Sequence, residues 1–339
     1  MSTPVTVAVV GATGAVGEVM MSILHERKFP IKQLIPLASA RSAGGQVDFG
    51  NHKLTVRDLA SFDPKGVDIA LFSAGGSVSK EYAPKFAAAG AIVIDNSSAF
   101  RSDDDVPLVV SEVNPEALAS IPRGIIANPN CSTMQLMVAL APIHRAVGIE
   151  RINIATYQSV SGTGQRGMEE LGRQTAAILG FQDPDPQVYP VQIAFNVIPH
   201  GGDFLDNGYT SEEMKLVWET RKILGAPDML VNATVVRVPV FFGHSEAVNI
   251  ETRDKITASQ ARALLEKAPG VMLVDERAAG GYPTPVTHAS GHDPVYVGRI
   301  REDISHPRGL NLWVVSDNIR KGAALNAVQV AEILLKNRS

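Results

Sequence analysis

Val5-Thr6-Val7-Ala8-Val9-Val10-Gly11-Ala12-Thr13-Gly14-Ala15-Val16-Gly17 is the stretch that decides the fold. An unbroken apolar run rich in valine makes a buried strand, and the three glycines make a tight turn. Met20, Met21, Ile23 and Leu24 then give the spacing of a helix that runs to about Arg27. Strand, glycine turn and helix in this order open a doubly wound α/β sheet that binds a dinucleotide. The glycines let the backbone approach a pyrophosphate, which the N–H groups of the helix start can hold. The spacing is G-x-x-G-x-x-G and not the commoner G-x-G-x-x-G, so context carries more of the reading than the pattern does. Gly11, Thr13, Gly14, Ala15, Val16 and Gly17 are candidate cofactor contacts. The alternative is a tight turn that holds no ligand.

The alternation continues outward from this turn. Residues 33–38, 67–72 and 91–94 read as strands, residues 80–89 as a helix, and residues 124–127 as a further strand. After the second strand an NAD-specific fold places an acidic residue for the ribose hydroxyls. Here Arg41 stands between Ser39 and Ser42, which favours a 2′-phosphate and hence NADP over NAD; otherwise Arg41 is an ordinary loop arginine. The turns that follow later strands face the same crevice, which adds Ser73 and Gly75 to the cofactor candidates and puts residues 95–98 nearby. Arg101 follows that last turn and suits an anion.

Asn128-Pro129-Asn130-Cys131-Ser132-Thr133 marks a second strand-to-helix junction and holds the only cysteine of the chain. Pro129 keeps Asn128 extended, and Ser132 and Thr133 are expected as first-turn caps of an apolar helix. A thiol at a helix N-terminus is stabilised as thiolate and suits a nucleophile. The competing reading is a small buried hydrophobe.

Composition bounds the rest. At 339 residues with 45% hydrophobic content the chain can bury a large core and divide into two domains. The charge is 31 minus 35, or −4, without long blocks of one sign, so nucleic acid and acidic membrane are not expected partners. One cysteine excludes intrachain disulfides and cysteine metal clusters, and no metal is expected. No apolar run approaches the roughly 20 residues of a membrane helix, and no signal peptide is visible. A soluble cytoplasmic protein is the expectation.

The second half reads differently. Residues 149–157 form a long strand ending in the polar turn 158–164, where Ser161 and Gly162 are further cofactor candidates. Residues 167–179 and 211–224 are helical, and Glu212 and Lys215 share a face, which by itself describes a solvated surface pair. Strands are expected at 231–240 and 246–251, joined by Phe241-Phe242-Gly243-His244-Ser245, and again at 295–300 and 310–315. Among eight histidines, His244 is the best placed for chemistry. Many strands with few helices between them predict an α+β domain with a mostly antiparallel sheet, one face of which a homodimer could cover. A final helix over 318–336 returns to the first domain, with Asn318 near the cofactor. The domains are therefore expected as 1–129 with 318–339, binding NADP, and 130–317, for catalysis and dimerisation.

Six stretches taken together resemble one family. They are residues 11–17, 39–44, 96–101, 128–133, 157–162 and 237–245, and in this order they look like aspartate-semialdehyde dehydrogenase of the bacterial branch. The resemblance implies a Rossmann-like domain, a homodimer, and NADPH-dependent reduction of aspartyl 4-phosphate to aspartate 4-semialdehyde on the route to lysine (through diaminopimelate), threonine and methionine. Carried over residue by residue, Cys131 is the nucleophile, Gln158 orients the acyl group and His244 is the acid/base. By the same resemblance Arg101, Asn130 and Lys215 hold phosphate, while Glu212 and Arg237 hold the substrate amine and α-carboxylate. Glu213 adjoins Glu212 and leaves that choice open. N-acetyl-glutamyl-phosphate reductase is the nearest enzymatic alternative, and a catalytically silent dinucleotide-binding regulator is the alternative from another class.

Overall fold

A computed structural model describes residues 3–337. In chain order the first elements are β1 (Val5–Val10), α1 (Ala15–Glu26), β2 (Ile31–Ala38), β3 (Gln46–Phe49), β4 (His52–Thr55), β5 (Arg57–Asp58), β6 (Ile69–Phe72), α2 (Gly76–Ala88), β7 (Ile92–Asp95) and β8 (Ile125–Ala127). They are followed by α3 (Cys131–Val147), β9 (Ile149–Gln158), α4 (Gln165–Leu179), α5 (Ser211–Leu224), β10 (Leu230–Arg237), β11 (His244–Thr252) and α6 (Ala258–Leu265). Last come β12 (Val271–Leu273), β13 (Val295–Glu302), β14 (Gly309–Ser316) and α7 (Leu325–Asn337).

Two compact units result, with boundaries between Asn130 and Cys131 and between Lys321 and Gly322. The second boundary lies four residues beyond the expected one, and the cause is local. Asn318 is hydrogen-bonded to Ser159, Ser161 and Gly243 of the second unit, and α7 starts only at Leu325 after a turn over Arg320–Ala324.

In the first unit six strands run in the order β5-β2-β1-β6-β7-β8, and every neighbouring pair is parallel. All of β1 is buried, as an interior strand covered on both faces must be. Val7 and Val9 share a core with Met20, Met21, Ile23 and Leu24 of α1 and with Leu325, Val328 and Ala331 of α7. The antiparallel hairpin β3–β4 was not expected. Its signal is present all the same, as alternating Val47, Phe49 and Leu54 about Gly50-Asn51.

In the second unit the strand order is β10-β9-β11-β14-β13-β12. The pairs β9–β11, β11–β14 and β13–β14 are antiparallel, while β10–β9 and β12–β13 are parallel. The sheet is therefore mixed, with its parallel pairs at the edges. A parallel neighbour needs a long crossover, and α4 and α5 supply it between β9 and β10. Alternation divides the two faces. Thr156 and Gln158 of β9, His244, Glu246 and Val248 of β11, and Val314 and Ser316 of β14 are buried on the face that carries α3, whereas Tyr157 on the reverse face is 37% exposed.

Candidate active site

In the first unit the glycine turn opens on a groove of about 660 Å³ lined by Gly11, Thr13, Gly14, Ser39, Arg41, Ser42 and Ser73, among others. Gly11 has φ +85°, and a Cβ there would stand 2.4 Å from the Ser73 carbonyl oxygen, so only glycine fits. Gly17 packs as closely, since its Cβ would lie 2.2 Å from the Gly11 oxygen. No side chain caps α1 at Gly14, and Ala15 and Val16, both half-buried, form its first turn beside the groove. Gly75 turns the chain into α2 with φ +87° and is not among the groove's lining residues. Arg41 is exposed at the rim, where a cation can meet a 2′-phosphate. A backbone cradle that no Cβ could enter, with an arginine at its edge, fits NADP.

Arg101 belongs to the same unit. Its Nη2 donates to the Asn96 carbonyl oxygen at 2.8 Å, which holds the side chain against the turn after β7. That turn is braced by the buried Asp95 carboxylate, which accepts from the Ser79 hydroxyl at 2.7 Å and the Ser97 hydroxyl at 2.6 Å. Asn130 is buried immediately before α3.

In the second unit Cys131 is the first residue of α3 and stays partly exposed, while Ser132 to Ala141 are buried. The N-terminal end of the helix dipole favours the thiolate there. Ser132 and Thr133 were expected as caps, but the helix begins one residue before them. Instead, the Ser132 hydroxyl accepts from Gln158 Nε2 at 2.9 Å, which ties the end of β9 to the residue next to the thiol.

His244 lies in the first position of β11 and not in the connecting turn, and it is fully buried. The Ser159 backbone N–H donates to its Nδ1 at 3.0 Å. An N–H can only donate, so Nδ1 accepts and the ring proton sits on Nε2. Nε2 has no hydrogen-bond partner among the described residues. A Cβ on Gly162 would lie 3.2 Å from His244 Nε2 and 2.8 Å from Arg237 Nη1, so the glycine keeps both groups open. Burial, and then the Arg237 charge, push the His244 pKa well below its ordinary value, so the ring is neutral near pH 7.

Arg237 ends β10 and is held by its Nη1, which donates to the Ser159 carbonyl oxygen at 2.7 Å. On α5, Glu212 and Lys215 are paired and largely buried, with side chains 18% and 24% exposed, so this is not the solvated pair that their spacing alone describes. Glu213 is occupied by the fold. Its carboxylate accepts from the Thr210 N–H at 2.7 Å and from the Val235 N–H at 3.1 Å, capping α5 and tying it to β10. Ser161 and Asn318 share a buried hydrogen-bond network with Ser159 next to His244.

Three buried polar residues of this region were not singled out from the sequence. Ser159 holds His244, Gln135 Nε2 reaches the His244 carbonyl oxygen at 3.4 Å, and Glu246 sits two residues along β11 on the same face. Burial raises the Glu246 pKa well above the usual carboxylate range, which favours its neutral form. Glu246 had a readable signal: an acidic residue at an inward position of an otherwise apolar strand.

An acyl-transferring dehydrogenase, with a dinucleotide-binding unit and a thiol-bearing unit, is the class that these features define. Two family models agree, a semialdehyde dehydrogenase NAD binding domain over residues 6–121 and a semialdehyde dehydrogenase dimerisation domain over residues 140–321. The chain is 61% identical over 335 residues to aspartate-semialdehyde dehydrogenase of Legionella pneumophila, covering 98% of this chain and 96% of that one. It superposes with a TM-score of 0.97 and 55% identity on aspartate semialdehyde dehydrogenase II of Vibrio cholerae, solved in complex with ASA, over 99% of both chains. Aspartate semialdehyde dehydrogenase of Candida albicans, solved with NADP, matches with a TM-score of 0.76 and 25% identity over 99% of both chains. The chain belongs to the aspartate-semialdehyde dehydrogenase family.

Proposed function

We infer that the chain interconverts L-aspartyl 4-phosphate and L-aspartate 4-semialdehyde, using NADP and a thioester on Cys131, in the biosynthesis of lysine, threonine and methionine. The observation that carries this reading is the thiol itself, the only one in the chain, at the first position of α3 and partly exposed.

In the reducing direction the Cys131 thiolate attacks the acyl carbon of the acyl phosphate. The C–O bond to phosphate breaks, and phosphate leaves with its electron pair, taking up a proton. A thioester remains on Sγ, which divides one difficult displacement into two easier steps. Gly11, Thr13, Gly14, Ser39, Arg41 and Ser42 would hold NADPH, whose chemistry when bound would be hydride donation to the acyl group. His244 Nε2–H donates to the oxygen that becomes negative in the tetrahedral adduct. Collapse of the adduct breaks the C–S bond, releasing the aldehyde and restoring the thiolate. In the reverse direction Nε2 takes the hydroxyl proton of the thiohemiacetal as hydride leaves the carbon. Gln158, bonded to Ser132 beside the thiol, orients the acyl group. Arg237 presents a fork suited to the α-carboxylate and Glu212 suits the amine, while Arg101, Asn130 and Lys215 are matched to phosphate. With Glu213 engaged by Thr210 and Val235, Glu212 is the carboxylate of choice.

A homodimer formed through the reverse face of the mixed sheet completes the reading. Tyr157 and Trp313 lie side by side on that face with ring centroids 5.5 Å apart, and sedimentation at assay concentration checks it.

The decisive experiment is phosphate-dependent NADP reduction with aspartate semialdehyde, before and after alkylation of Cys131. The expected result is turnover that alkylation lowers by about 10³-fold or more. An alkylated chain with an undiminished rate, or a preference for N-acetyl-glutamate semialdehyde, would sink the proposal.

A further inference from the structure

His244 has two tasks in the reaction above, and they need opposite protonation at one atom. To stabilise an oxyanion, Nε2 must carry a proton. To take the proton of the thiohemiacetal hydroxyl, Nε2 must be bare, so the ring proton must sit on Nδ1. A buried ring can alternate between these forms only if something beside Nδ1 can serve it both as donor and as acceptor.

Ser159 offers both at that atom. Its backbone N–H lies 3.0 Å from Nδ1 and can only donate. Its hydroxyl oxygen is also 3.0 Å from Nδ1 and can accept. Nδ1 has a single lone pair, so the two contacts serve different states of the ring. The hydroxyl is oriented for accepting because its own proton has another destination, Asn318 Oδ1 at 3.0 Å. That oxygen is fixed in turn by the Gly243 N–H at 3.0 Å, and the Asn318 Nδ2 donates to the Ser161 hydroxyl at 3.0 Å. Ser159 and Ser161 are 0% and 5% exposed and Asn318 is 4% exposed, so water does not readily replace either contact.

We propose that Ser159, oriented by Asn318, is a positioning residue that lets His244 change from proton donor to proton acceptor at Nε2 without moving its ring. The main-chain N–H serves the ring protonated at Nε2, and the hydroxyl serves the ring protonated at Nδ1, including the imidazolium. Three elements of this unit carry the charged or titratable groups of the site. Arg237 ends β10 and lowers the ring's basicity, Glu246 lies two residues along β11 with burial favouring its neutral form, and Cys131 begins α3. The hydroxyl therefore acts against the burial and the arginine charge that both oppose protonation.

The catalytic half of this inference rests on the activity proposed above, and its test separates the two. Ring ¹⁵N resonances of His244, assigned by comparison with His244→Asn, report the tautomer whether or not the chain turns over. In the unaltered protein Nε2 is expected to carry the proton near neutral pH, with an Nδ1–H signal gained on acidification. Ser159→Ala keeps the main-chain N–H and removes the acceptor. It is expected to stay in the Nε2–H form to lower pH, to lose about 10- to 100-fold in kcat with little change in KM, and to shift the acid limb of the pH profile downward. Ser159→Thr restores the hydroxyl and is expected to return kcat to within about threefold. A Ser159→Ala protein with an unshifted ring titration would overturn the proposal, as would a threonine variant no better than alanine. Should the alanine variant not fold, the unaltered protein still decides, because a ring protonated only at Nδ1 near neutral pH contradicts the two-contact arrangement. Absence of turnover with the expected ring titration would count against the proposed activity alone.

Discussion

The two units build their sites from different materials. The cofactor groove of the first unit is made largely of main chain: Gly11 and Gly17 exclude any Cβ, and one exposed arginine stands at the rim. The thiol site of the second unit is made of buried side chains that hold one another, with Ser159, His244, Arg237 and Asn318 linked by hydrogen bonds across sequence separations of up to 159 residues. A main-chain site is fixed by local conformation, so it tolerates no added atom but needs few partners. A side-chain site is fixed by its partners, so its failures spread through titration and geometry.

Gly11→Ala is the sharpest way to break the first kind of site. It forces a residue with a Cβ to φ +85° and toward the Ser73 carbonyl oxygen. A loss of roughly 2–5 kcal/mol in stability is expected. NADPH affinity, measured by fluorescence titration, should fall about 10²-fold or more, while the ring titration of His244 in the other unit stays unchanged. Arg41→Ala tests the one side-chain element of the groove. The ratio of catalytic efficiency with NADP to that with NAD is expected to fall about tenfold, and equal ratios before and after would release Arg41 from that role. Glu246→Gln tests the second kind of site where it is most buried. Burial raises the folded-state pKa of Glu246, so the folded protein holds a proton that the unfolded chain gives up above about pH 4.3. The native protein therefore loses stability as pH rises from there toward the raised pKa, by at most about 1.4 kcal/mol per pH unit. The glutamine variant, always neutral, is expected to lose that slope, and chemical denaturation at pH 5 and pH 6 measures it.

The same contrast decides what could be read from the sequence. The glycine turn, Arg41 and the junction at Cys131 are local, and local spacing and turn chemistry were enough to place them. The parallel edges of the second sheet were not legible, because strand direction depends on where a crossover lands and not on the strand's own residues. His244 could be singled out as following Gly243 at a strand junction, yet its role came only from family resemblance. Its partner Ser159 was passed over, because serine in a polar turn looks like solvent-facing loop until the fold brings β11 alongside. Glu213 shows the reverse: two adjacent acids look equivalent until the capping of α5 and the bond to Val235 occupy one of them.

The last helix carries a consequence for how the molecule is made. Leu325, Val328, Ala331, Leu334 and Leu335 of α7 fill the core beside β1 and α1, so the first unit is completed by residues that are synthesised only after the whole of the second. During synthesis the earlier strands therefore wait with an open apolar flank until α7 follows. A nascent chain that stalls before residue 325 would thus expose the nucleotide-binding half to chaperones and proteases, although the segment bearing the thiol had already been made.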